Sequence, residues 1–130
     1  NYTKKTILKY GFNRERLLVN FDFATAHSTG FFVKREEIIK VGSFNTKYKC
    51  SADYDLYFKL IIKNKLNGSF TKKNNIVGEV MSGGFSSRIS FFDHLKEETR
   101  IRFDNGQNFL LILIIFVNAI LKEFIKKIFS

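Results

Sequence analysis

The run from Phe109 to Leu121 is apolar except for Asn118, and it constrains the chain more than any other segment because it must be hidden from water. As a helix, thirteen residues rise only about 20 Å, short of the roughly 30 Å hydrocarbon core of a bilayer. A full membrane span is therefore not expected. The run continues into Lys122, Lys126 and Lys127, so a basic, apolar helix over 107–130 can lie on an anionic membrane or cover a core or partner. Both alternatives stand at this point.

Upstream, 45% hydrophobic content and 16 Phe in 130 residues imply one compact, folded domain rather than a disordered chain. Asn1 is not expected to be a natural start, and the chain reads as a piece of something longer. The single cysteine, Cys50, excludes an internal disulfide and cannot by itself build a thiolate metal site. This fits a cytoplasmic location, with the inner face of the membrane as the place where the last helix would dock. The net charge of +10 attracts anions without choosing among nucleic acid, membrane and phosphorylated substrate. Nucleic acid is not the expected partner, because the basic residues are spread along the chain and no nucleic-acid-binding motif is present.

Lys4 to Tyr10 reads as a helix tail stopped at Gly11. Arg16 to Val33 is rich in β-branched and aromatic residues and reads as two extended segments, the second carrying His27. Arg35 to Val41 reads as a short helix closed by Gly42. Leu56, Leu60 and Ile61 give Ser51 to Leu66 a helical phase, with Asp55, Lys59 and Lys63 on another face and Asn67-Gly68 as its stop. Phe70 to Val80 reads as one or two strands. Ser90 and Asp93 have capping-box spacing for a helix reaching about Phe103, broken by Asn105-Gly106.

Among chemistry-bearing residues, Asp53 comes first. Ser51 can cap the helix, which puts Asp53 in the first turn, where free N–H groups and the helix dipole favour negative charge. There it could take a proton from a hydroxyl. An ordinary first-turn Asp has the same position and stabilises its helix by about 0.3–1 kcal/mol. Asp55, two residues on, is turned about 200° away. His27 can bind an acceptor or phosphate, or serve as a packed structural residue. Gly83 and Gly84, followed by Ser86, Ser87 and Arg88, offer free backbone, two hydroxyls and a guanidinium suited to phosphate oxygens, though a plain glycine turn has the same spelling. No P-loop, HExxH or zinc spacing occurs.

Taken in order, His27-Ser28-Thr29-Gly30-Phe31-Phe32-Val33, Val41-Gly42-Ser43-Phe44-Asn45, Ser51-Ala52-Asp53-Tyr54-Asp55-Leu56 and Gly83-Gly84-Phe85-Ser86-Ser87 resemble the second half of family 2 glycosyltransferases of the bacterial polysaccharide type. The resemblance covers about residues 12 to 105. It implies an α/β architecture, the α+β acceptor-side half of a GT-A fold over 1–106, followed by the C-terminal helix over 107–130. It further implies an inverting transferase that moves a sugar from a nucleotide-sugar donor to a glycan or lipid-linked acceptor. Asp53 would be the catalytic base, and His27, Asp55, Gly83, Gly84, Ser86 and Arg88 would be substrate contacts. Ala52 replaces the family's usual Glu at this motif. The family's Asp-x-Asp, which holds a divalent cation (Mg or Mn) on the sugar diphosphate, belongs to a preceding half, and no Asp-x-Asp stands before residue 53. No metal is therefore expected in this chain alone, and turnover is expected only from the parent enzyme. The competing expectation is a small basic nucleic-acid-binding or membrane-surface module without catalysis.

Overall fold

A computed structural model describes residues 14–19, 28–72, 75, 78 and 83–129. Among them the regular elements are helical: α1 (Arg14–Val19), α2 (Arg35–Lys40), α3 (Ala52–Tyr57) continuing into a π-helical segment (Phe58–Lys63), α4 (Phe91–Asp104) and α5 (Phe109–Ile128). Short 3-10 turns lie at Ser28–Gly30 and Phe85–Arg88. No strand occurs among the described residues, whose regular elements are helical, so the expected α/β, GT-A half is not what they form. Where an extended segment is expected from Arg16, the backbone is α1, and where the second is expected, Ser28–Gly30 is a 3-10 turn. A strand needs a neighbour to pair its N–H and C=O groups. A helix satisfies its own, and β-rich composition yields to that advantage where no partner strand is at hand. Residues 65–72 take no regular structure, and most of 73–82 lies outside the described residues, as does the expected helix tail at Lys4 to Tyr10.

α3 and its π continuation form the centre. Leu56, Tyr57, Leu60 and Ile61 are buried against Phe31, Val33, Ile38 and Val41, with the Phe31 and Tyr57 rings 4.3 Å apart. On the other side Tyr54 and Phe58 pack with Tyr48 and with Ile101 of α4. Truncating one such fully buried Leu would cost about 2–5 kcal/mol. Because the buried face must serve both neighbours, nearly every residue from Tyr54 to Ile61 is inside. The π turn shifts the helical phase, which allows the adjacent Leu60 and Ile61 both to face inward.

The helix stops are partly as expected. Gly42 has φ +87° and completes a Schellman closure of α2, Gly42 N–H donating to Ile39 O (3.1 Å) and Ser43 N–H to Ile38 O (2.9 Å). Gly106, at φ +76°, closes α4 in the same way. Ser90 caps α4 by accepting from Asp93 N–H (3.1 Å), while the Ser90 hydroxyl donates to Asp93 Oδ2 (2.7 Å). The central helix, however, ends at Lys63 rather than at Asn67-Gly68. Arg14 explains the earlier stop: its guanidinium donates to Ile61 O (3.0 Å), Lys65 O (2.5 Å) and Leu66 O (3.2 Å), and to Asn67 Oδ1 (2.8 Å). Carbonyls that would otherwise lack partners at a helix C-terminus are thus bound by a cation, which the dipole favours. We expect Arg14→Ala to lower stability by about 1–2 kcal/mol in urea unfolding, with Arg14→Lys recovering only part of it because one ammonium cannot fork to four acceptors.

Candidate functional site

The N-terminal end of α3 is held by a residue from α4. Glu97 Oε1 accepts from Lys49 N–H (2.7 Å), and its Oε2 accepts from Cys50 N–H (2.8 Å), Ser51 N–H (2.7 Å) and the Cys50 thiol (2.8 Å). Burial pulls the Glu97 carboxyl upward, but these four donors outweigh it and hold the group at about 2. Ser51, expected to cap with its hydroxyl, makes no side-chain cap bond; it is buried and its own N–H is what Glu97 takes. Cys50 is the reciprocal case. Burial first, then its hydrogen bond to Glu97, push the thiol up to about 11, so it stays protonated and is no nucleophile at neutral pH.

Docking α4 on α3 in this register leaves a cleft of about 190 Å³ beside the first turn of α3. Asp53, Tyr54 and Tyr57 line one wall, His94 and Glu98 the other, with Cys50 and Ser51 at the end. Asp53 is half-buried and its Oδ1 accepts from Tyr54 N–H at 2.8 Å. The Tyr57 hydroxyl is held above its ordinary range by burial and then by the negative charge of Asp53.

Glu98 is the residue that most changes the chemistry. Burial, reinforced by the charges of Asp53 and Glu97 and opposed by Arg102, raises its carboxyl to about 8. At neutral pH the cleft therefore presents a carboxylic acid facing Asp53. Two carboxyl groups in unequal surroundings can divide acid and base roles. Behind them Arg102 is fully buried, 5.6 Å from the Tyr54 ring and 5.5 Å from the Phe58 ring, and its Nη1 donates to Leu18 O (2.7 Å) and Gln107 Oε1 (2.8 Å).

Glu98 also makes stability depend on pH. Its folded value of about 8 lies above the ordinary 4.5, so its contribution is fully present below pH 4.5 and is lost as pH rises through 8. Glu98→Gln, which cannot ionise, should therefore melt close to the parent chain at pH 5 and gain on it toward pH 9, by about 3 kcal/mol. Thermal melts at the two pH values measure this, and a difference independent of pH would count against it.

The other expected contacts are not at this cleft. Asp55 is 1% exposed and turned inward, its Oδ2 bound by Lys59 Nζ (2.6 Å) and its Oδ1 by Asn105 Nδ2 (2.8 Å). It is committed to holding α3 against the end of α4, which removes it from any substrate in the cleft. Gly83 (φ +92°), Gly84 and Arg88 are exposed and lie outside the cleft lining, while the Ser86 side chain and all of His27 lie outside the described residues. Among the described residues no cluster of three or more His, Cys, Asp or Glu is arranged to hold a metal ion. His94 and Glu98 are absent from the sequence-based candidates; their i, i+4 spacing on α4 places them on one face, but nothing local tells that this face meets Asp53.

No family model, curated protein or solved structure matches the chain.

Proposed function

We propose that the chain is the acceptor-side part of an inverting glycosyltransferase of the family 2 type, in which Asp53 accepts the proton of the acceptor hydroxyl as that oxygen attacks the anomeric carbon of a nucleotide-sugar. The single observation that carries this reading is the position of Asp53: a half-buried carboxylate in a helix first turn, at the wall of a cleft large enough for part of a sugar ring. Its placement agrees with the role implied by the ordered resemblance from His27 to Ser87, and the inward turn of Asp55 leaves Asp53 as the one acid of that motif able to meet a substrate. Glu98, neutral at pH 7, can donate to a second acceptor oxygen and orient the attacking hydroxyl, and the aromatic edge of Tyr57 offers a surface for the apolar side of a sugar ring. In this reading the divalent cation and the nucleotide-sugar are held by the rest of the parent enzyme, while the described residues of this chain contribute a helical, acceptor-side part. The parent enzyme would then work at the cytoplasmic face of the membrane.

The test is transfer of labelled sugar from a panel of nucleotide-sugars by the parent enzyme, comparing Asp53→Asn with the unsubstituted protein. Transfer at an undiminished rate by a folded Asp53→Asn protein would sink the assignment.

A further inference from the structure

α5 presents an apolar stripe that no other described part of the chain covers. Leu110, Leu113, Val117, Leu121, Phe124 and Ile128 are all exposed, from 47% to 68%. Their spacings of three, four, four, three and four residues add up to five helical turns, so they form one straight line along α5. The buried residues of the same helix, Ile112 and Ile115, are on the opposite side and meet the rest of the fold. α5 is thus fastened to the protein by one face and offers the other, about 30 Å long, to its surroundings.

Its charges say what those surroundings are. Lys122, Lys126 and Lys127 stand against one acid, Glu123, and all four fall in the last seven residues. With these charges included, no helix among the described residues is long and apolar enough to cross a membrane. Lys127 flanks the stripe, and Lys122 and Lys126 lie on the far side of the helix, within about one Debye length of a surface touching the stripe. A long apolar face with a basic flank suits a helix lying in the plane of an interface. A second copy packed in parallel would bring the same lysines together and repel them, and one packed antiparallel would leave them unneutralised, whereas anionic headgroups neutralise them, and the chain's net charge of +10 acts in the same direction.

We propose that α5 docks the protein on an anionic membrane surface, with the Leu110–Ile128 stripe lying among the acyl chains and the three lysines at the phosphates. This does not depend on the role of Asp53.

The test uses the whole chain with lipid vesicles. Co-sedimentation with phosphatidylcholine vesicles containing about 30% phosphatidylglycerol should be roughly 10- to 30-fold tighter than with pure phosphatidylcholine. Replacing the three lysines with alanine should remove that preference and leave weak binding to both. The combined Leu113→Glu, Val117→Glu and Leu121→Glu variant should lose binding to both, with its helical circular dichroism intact. Should that variant fold poorly, a milder probe serves: the chain contains no tryptophan, so Val117→Trp gives a single emission that should shift to the blue on anionic vesicles. Unshifted emission, or equal affinity for the two vesicle types, overturns the proposal. So does a stable dimer in sedimentation that the Val117→Glu set dissociates and that ignores vesicles, since the stripe would then be a protein interface.

Discussion

If Asp53 is the base of the proposed transferase, Asp53→Asn lowers sugar transfer by about 10²- to 10⁴-fold while leaving the melting temperature nearly unchanged. The two halves of that expectation have separate causes. Asn lacks the basicity to accept a hydroxyl proton, which would remove the proposed general-base step. The hydrogen bond that Asp53 Oδ1 accepts from Tyr54 N–H can still be accepted by the Asn amide oxygen, so the first turn of α3 keeps its local bond. The half-buried side chain is otherwise directed at the cleft, and its substitution opens no cavity. Steady-state transfer assays read the first effect and thermal melts the second. A loss of activity accompanied by an equal loss of fold would point to a structural Asp instead.

Asp55→Ala should do the reverse and cost about 3–5 kcal/mol of stability in urea unfolding. Asp55 is 1% exposed, and its two oxygens bind Lys59 Nζ at 2.6 Å and Asn105 Nδ2 at 2.8 Å. Removing the carboxylate leaves a partly buried ammonium without its counter-charge and a buried amide short of an acceptor. Asn105 ends α4, so the link between α3 and the α4 terminus would loosen as well. Asp55→Asn, which keeps the shape and loses the charge, should fall between the two. A cost below about 1 kcal/mol for the alanine variant would mean that the pair behaves as a surface ion pair. Asp53 and Asp55 therefore separate cleanly: the same residue type, two positions apart, with activity expected to follow one and stability the other.

That separation shows how much of the site was legible beforehand. The about 200° between the two side chains follows from helix geometry, and it announces that only one of them can meet a substrate. Which one does so depends on where α4 lies, a contact made across more than 40 residues of sequence. Glu97 and Glu98 illustrate the same limit. They are adjacent acids on one helix, yet one is held at about 2 by four donors from residues 49–51 and the other is raised to about 8 by burial and neighbouring charge. Nothing in the spelling Lys-Glu-Glu-Thr distinguishes them.

Local signals fared better where their physics is local. Gly42 and Gly106 end helices because their φ values of +87° and +76° suit a residue without Cβ, and Ser90 starts α4 because its hydroxyl reaches Asp93 N–H within one turn. The apolar run from Phe109 becomes part of a helix, opened by Asn108, whose side chain accepts from Leu110 and Leu111 N–H. The strand reading failed at residues 16–19 and 28–30, residues 20–27 lying outside the described ones, because β-propensity reports a side chain's fit to a pleated surface, and that surface must be supplied by other strands. Arg14 fixed the end of the central helix from 47 residues away, overriding the Asn67-Gly68 signal.

By itself, then, the sequence determined the Ser90 cap, the stops at Gly42 and Gly106, the helical phase of residues 52–63 and the placing of Asp53 in a first turn, since each rests on atoms within a turn or two of one another. Only the tertiary structure decided that Glu97 would hold the start of α3, that Glu98 would line the same cleft as Asp53, that Asp55 would be buried and that the stripe on α5 would be left uncovered by the other described residues. Burial and charge proximity are properties of distance in space, and they set the protonation of a carboxyl without regard to its neighbours in the chain.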